Sequence, residues 1–152
     1  MTFDDIDLQL LQLIQKDATR TAGQLSEILN LSPSACHRRL QRLHGAGVIR
    51  GVVALLEPRA IGRPVTVFVE ISLASQADDV LSAFERAAAR VPDVLECHLM
   101  TGAYDYLLKV VARDSEDFAR IHRKYLASLP GVAKLQSAFA LKTVSATTAL
   151  PV

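Results

Sequence analysis

The stretch Ile28 to Ala35, ILNLSPSA, constrains this chain more than any other, because it stops one helix and starts another almost at once. Asn30 tolerates the left-handed conformation that ends a helix. Ser32 followed by Pro33 is an N-cap and first-turn pair that begins one. Two helices joined so briefly cannot lie antiparallel side by side, so they cross steeply, as in a helix-turn-helix. The helix before the crossing has its own start signal, Thr21 with Gln24 three positions on, and turns Leu25, Ile28 and Leu29 inward. A further helix precedes it, with Asp4 and Asp7 at N-cap and N3 and with Ile6, Leu10, Leu13 and Ile14 on one face. The first 45 residues are therefore predicted to form three short helices.

On the third helix Cys36, Leu40 and Leu43 recur at i, i+4 and i+7 and form the inward stripe. The opposite face is centred on Ser34, Arg38 and Gln41, flanked by His37 and Arg42. Charge gathers in the same region. Residues 18–63 hold seven arginines against two glutamates, although the whole chain carries only +1. Residues 1–17 hold four aspartates and one lysine, and residues 64–152 hold nine basic and ten acidic side chains. A basic block bounded in this way points to a polyanion partner for that block alone. Arginine grips guanine with two donors, and glutamine and serine adapt to several base edges. Ser32 and the free amides at the helix start can hold a phosphate. The predicted partner is double-stranded DNA, contacted by Ser32, Ser34, His37, Arg38, Gln41 and Arg42.

VIRGVVALLEP follows, β-branched and alternating, and reads as a strand or short wing; RAIGRP is the linker, punctuated by Gly62 and Pro64. Beyond it VTVFVEISL alternates as a half-buried strand, with Val65, Val67, Val69, Ile71 and Leu73 on one side. DDVLSAFERAAARV reads as a helix, VLECHLMT and YDYLLKVVA as strands joined by a tight Gly102-Ala103 turn, SEDFARIHRKYLASL as a helix capped by Asp114, and KLQSAFALKTV as the last strand. The order βαββαβ is the ferredoxin-like plan, an antiparallel sheet with two helices on one face. A weak internal repeat agrees with it: VPDV at 91–94 and LPGV at 129–132 each end a helix and open a strand. The other sheet face carries Thr66, Phe68, Glu70 and Ser72, too apolar in part to stay wet, so a second subunit is expected to cover it.

The run from LSPSAC to GVIRG, together with TGAYDYLLKV, DDIDLQLLQLIQKDAT, VFVEISL and LPGV, resembles the Lrp/AsnC (leucine-responsive, feast/famine) transcription regulators over nearly the full length of the chain. The resemblance implies an α+β protein, with an N-terminal winged helix-turn-helix followed by a ferredoxin-like βαββαβ domain that binds amino acids. It implies homodimers joined through their sheets, often assembled into octamers. It also places the effector near Met100, Thr101, Gly102, Ala103, Tyr104 and Asp105. The chemistry suits that loop: Gly102 permits close approach, turn amides can hold an α-carboxylate, and Asp105 can pair with an ammonium. The family usually carries an acidic or polar residue where Ala103 stands. Asp105 has a plainer alternative role as a turn-forming residue.

The expected organisation is a DNA-binding domain at 1–50, a strand and linker at 51–64, and an effector-binding and oligomerisation domain at 65–152. Half of the chain is hydrophobic, enough to fill a core, and Phe3-Asp4-Asp5-Ile6-Asp7 is too acidic for a secretory signal. No apolar run approaches the roughly 18 residues that span a bilayer. A cytoplasmic protein without membrane contact is expected. Cys36 and Cys97 show no metal or redox spacing and read as two buried thiols. His98, beside Glu96 on its strand, reads as a packed or paired histidine. No nucleophile set, phosphate loop or metal motif argues for an enzyme, and no cofactor beyond the amino-acid effector is expected. The alternative is an architectural, nucleoid-type DNA binder with little effector dependence, which would share the same fold.

Overall fold

The computed structural model describes residues 2–152 of the chain. They divide into two compact units: the residues up to Leu55 together with Val144–Val152, and Leu56–Thr143.

The first unit opens with α1 (Asp5–Lys16), α2 (Ala22–Leu29) and α3 (Pro33–Gly45). Each helix begins at the cap that the sequence supplies. Asp4 accepts from the Asp7 amide at 2.8 Å, and Asp7 accepts from the Asp4 amide at 3.3 Å. Thr21 and Gln24 form the same reciprocal box at 3.2 and 2.9 Å. Ser32 accepts from the Ala35 amide with Pro33 as the first helical residue. Asn30 adopts φ 52°, ψ 45°, the left-handed stop that ends α2 three residues before α3 begins. The core between the helices is small: Leu10, Leu11, Leu25, Cys36 and Leu43, with Leu29, Leu40 and Ile49 packed around it. Burying one leucine contributes about 1.5–3 kcal/mol, so each of these side chains matters. Residues 144–152 lie against α1. The Gln15 carboxamide both donates to the Leu150 carbonyl at 3.1 Å and accepts from its amide at 2.7 Å, and Gln12 donates to the carbonyl of Val152.

Residues 48–58, expected as a strand or wing, run as turn and irregular chain with no strand partner among the described residues. Val52, Val53, Leu55 and Leu56 are largely exposed. β-Branched residues favour a pleated surface, but an unpaired strand leaves its amides and carbonyls to water.

The second unit contains β1 (Val65–Leu73), α4 (Asp78–Ala88), β2 (Val94–Leu99), β3 (Tyr106–Ala112), α5 (Ser115–Lys124), a 3-10 turn (Leu126–Ser128) and β4 (Val132–Phe139). The sheet is antiparallel, in the order β2-β3-β1-β4, which is the ferredoxin-like arrangement read from the sequence. The inward set Val65 to Leu73 packs with Tyr106, Leu108 and Val110 against Phe84, Ala88, Phe118 and Ile121 of the two helices. Asp114 caps α5 through the Asp117 amide at 2.7 Å. Both repeat motifs open a strand as predicted, β2 at Val94 and β4 at Val132, but the α-helices stop earlier than expected, α4 at Ala88 and α5 at Lys124. At Gly131, φ is 74° and an added Cβ would stand 2.7 Å from Val80 Cγ1, so only glycine fits that turn. The last strand starts earlier and ends sooner than expected, leaving 140–144 outside it.

Beneath the sheet end, Asp117 is buried and accepts from the Arg113 amide, from the Arg113 and Arg120 guanidiniums, and from Arg63 at 3.4 Å. Arg63 also reaches Asp93 at 2.8 Å, fixing the root of the linker. These donors, led by the Arg113 amide, hold the Asp117 carboxyl far below the usual carboxylate range.

Candidate functional site

The outward face of α3 presents Ser32, Ser34, His37, Arg38, Gln41 and Arg42, and all six are exposed. The inward stripe is as read: Cys36 and Leu43 are fully buried and Leu40 is half-buried. The arginines of this helix are not equivalent, and their order around it explains why. Arg39 stands next to the inward stripe on the side facing α1. There its Nη1 donates to both oxygens of Asp4, at 2.9 and 2.7 Å, and to Oδ1 of Asp7 at 2.7 Å. Arg42 is half exposed, and its Nη2 donates to Oδ2 of Asp7. Arg38 points furthest outward and has no ion-pair partner among the described residues. A hollow between the three is lined by Arg38, Arg39 and Arg42 alone.

The Asp7 side chain is only 1% exposed. Burial by itself would push its carboxyl up, but donors from Arg39, the Asp4 amide and Arg42 outweigh burial and hold it below the usual range. Asp4 is held low by the Asp7 amide and then by Arg39. Part of the basic block is therefore neutralised inside the head by the acidic start of the chain. Sequence reasoning missed Arg39 and the pairing of Arg42. The available signal was the acidic 1–17 segment immediately before the arginines.

The loop between β2 and β3 is six residues, Met100–Asp105, rather than a two-residue turn. It is closed by the Met100 amide donating to the Asp105 carbonyl at 2.8 Å. Gly102 has φ 127°, a conformation that disfavours side chains. Thr101, Gly102 and Ala103 are exposed, whereas Met100, Tyr104 and Asp105 are half-buried. The Asp105 carboxylate does not cap its own turn. It accepts from the Leu73 amide at 2.7 Å and from the Gln76 carboxamide at 2.7 Å, pinning the loop to the end of β1. Its amide donates to the Ile71 carbonyl at 2.9 Å. Each carboxylate oxygen so holds one donor and keeps acceptor capacity for another. Behind the loop, the Tyr106 hydroxyl donates to Glu85 at 2.8 Å; burial, reinforced by Glu85, pushes its pKa well up.

Matched against known proteins, residues 66–150 fit the model of the Lrp/AsnC ligand binding domain, and residues 3–50 fit a winged helix-turn-helix DNA-binding model. The chain belongs to the Lrp/AsnC family of transcriptional regulators. It is 36% identical to the DNA-binding transcriptional activator DecR of Escherichia coli, over 98% of each chain. It is 37% identical to the glutamate uptake regulatory protein of Zymomonas mobilis, over 97% of this chain and 90% of that one. Among solved structures, a Neisseria meningitidis transcriptional regulator in complex with L-Met is 37% identical. It superposes with a TM-score of 0.93, covering 99% of this chain and 97% of that one. In this Lrp/AsnC chain, α3 is accordingly the second helix of the helix-turn-helix, and the 100–105 loop lies within the ligand-binding domain.

His98 is exposed and paired to Glu96 at 3.2 Å, with Lys109 on the other Glu96 oxygen at 2.8 Å. Of the two thiols expected to be buried, Cys36 is buried and Cys97 is exposed. Cys97 lies on β2, an edge strand of the sheet, so nothing in the sheet covers its far side. Among the described residues no group of three metal-binding side chains occurs, and no helix is long and apolar enough to cross a membrane.

Proposed function

We propose that this regulator reads specific DNA through the outward face of α3 and answers an amino acid bound at the 100–105 loop. The observation that carries the DNA reading is the graded pairing of the three arginines. Arg39 is fully engaged inside the head, whereas Arg38 is exposed without a partner among the described residues and is available to a base edge. Ser34, His37 and Gln41 flank it as further base or backbone contacts. Ser32 and the first-turn amides of α3 serve one phosphate, and Arg42, in the last turn of the same helix, serves another. The DNA-binding domain is taken as 1–50, the linker as 51–64 and the effector domain as 65–152.

For the effector, the amides of Thr101, Gly102, Ala103 and Tyr104 meet no acceptor among the described residues and can bind a carboxylate. Asp105 keeps free acceptor capacity for an ammonium, and Met100 supplies apolar contact. The name of the glutamate regulator and the L-Met complex of the other relative support an amino acid as the ligand class. The bare sheet face, with Phe68 39% exposed, and the unpaired apolar run Val52–Leu56 support a homodimer that assembles further, as in an octamer. The working compartment is the cytoplasm, and the chain acts as a regulator and not as an enzyme.

The test of the DNA reading is Arg38→Ala in a gel shift on the region upstream of the protein's own gene. A loss of about 1–3 kcal/mol with relaxed sequence preference is expected. A folded Arg38→Ala protein with unchanged affinity and footprint refutes it.

A further inference from the structure

The Asp4–Asp7 pair sits against the DNA-reading helix, where carboxylates oppose polyanion binding, and yet Asp7 is almost wholly buried and fully partnered. A structural role for the pair requires only Arg39. That guanidinium bridges both carboxylates and is itself mostly buried, with 24% of its side chain exposed. Arg42 adds a second guanidinium to Asp7 while 48% of its side chain remains in solvent, on the flank between Arg39 and Arg38. One face of its guanidinium is thus held by the protein and the rest is open to a ligand.

We propose that Asp7 is a positioning residue that restrains the DNA interface. It keeps Arg39 as a permanent strut between α1 and α3, and it holds Arg42 conditionally, releasing it to phosphate only when DNA supplies a competing anion. The inference rests on the DNA reading of α3 above, which Arg38→Ala decides separately. Its consequence is selective. On arbitrary DNA the restraint removes about one phosphate contact's worth of counterion-release affinity. On a true operator, base contacts from Arg38 and its neighbours fix the register, so that the phosphate lies where Arg42 can reach it. Asp7 therefore lowers non-specific binding more than specific binding and widens the ratio between them.

The experiment compares wild type, Asp7→Asn, Arg42→Ala and the double variant on a short random-sequence duplex across a salt series, with thermal melting as the check of folding. One added phosphate contact scales as about the −0.9 power of salt, so at ~0.1 M salt Asp7→Asn is expected to bind the duplex up to about eightfold tighter, with a slope steeper by up to about one unit. In the Arg42→Ala background that gain should shrink to less than half. A folded Asp7→Asn protein that binds the random duplex no tighter than wild type overturns the proposal. So does a full gain that persists without Arg42, because it would report only a general change of charge. Should Asp7→Asn fail to fold, the wild-type protein supplies the answer through the Arg42 guanidinium resonances. They are expected to show restricted rotation in the free protein and a new environment once duplex is added. Signals that saturating duplex leaves unmoved overturn the proposal equally.

Discussion

Asp105 combines a structural task with a proposed binding task, and two substitutions separate them. Asp105→Ala removes a carboxylate that accepts at 2.7 Å from the Leu73 amide and at 2.7 Å from Gln76. The Leu73 amide is partly buried, and losing a charged acceptor there costs about 1.5–3 kcal/mol; the exposed Gln76 bond adds about 0.5 kcal/mol. A total of about 2–3.5 kcal/mol in a unit of this size lowers its melting temperature by roughly 8–28 °C. Asp105→Asn keeps an oxygen for Leu73, and Gln76 can turn its own oxygen toward the new amide, so the expected cost is only about 1 kcal/mol. The charge, however, is gone. If the carboxylate pairs with the ammonium of an amino acid, Asp105→Asn should weaken the effector about ten- to hundredfold, the value of a charge-assisted bond of about 1.5–3 kcal/mol. Thermal shift against the twenty amino acids identifies the effector, and calorimetry on both proteins measures the loss. An Asp105→Asn protein that binds the effector as wild type does would show that Asp105 only holds the loop. An Asp105→Ala protein with an unchanged melting temperature would refute the pin itself.

Thiol reagents should label Cys97 in the native protein and leave Cys36 unmodified until the head unfolds, which mass spectrometry after brief alkylation reads directly; burial pushes both thiols up, so even Cys97 should react slowly near neutral pH. Asp7 and Asp117 both have folded pKa values below their unfolded ones, so their stabilisation is complete above about pH 5 and is lost as pH falls through the unfolded and then the folded values. A urea midpoint that is flat from neutral pH to about pH 5 and then drops steeply is expected, and one that rises on acidification would contradict the pairing.

Features with a short sequence range were legible before any coordinates. Asp4 with Asp7, Thr21 with Gln24, Ser32 with Pro33, and Asp114 are caps whose partners lie three residues away, so their chemistry is written locally. The alternation of β1 declared its buried side because one sheet face packs on helices and the other does not. The failures have a shared cause in long-range geometry. Val52, Val53 and Leu55 carry strand propensity, but no partner strand lies within the described chain. Cys97 looks like a small buried thiol in sequence yet sits on an edge strand exposed along most of its length, which pattern alone does not reveal. Arg39 and Arg42 look like part of a uniform basic face until folding brings Asp7, more than thirty positions earlier, against them. The exposed basic face of α3 was legible in the helical spacing, while the pairing of Arg39 and Arg42 with Asp7 required the tertiary structure.

The carboxamides of Gln12 and Gln15 grip backbone at Leu150 and Val152, across 135 to 140 positions of sequence. The head is therefore closed by chain that a ribosome makes only after the entire sheet unit. Contacts of such sequence separation form slowly, because the loop between them must be closed before they stabilise anything. During synthesis the three helices, with their five buried side chains, are made before the segment that lies along α1. The DNA-binding unit thus gains its contacts with 144–152 only after the whole ligand-binding unit has been synthesised.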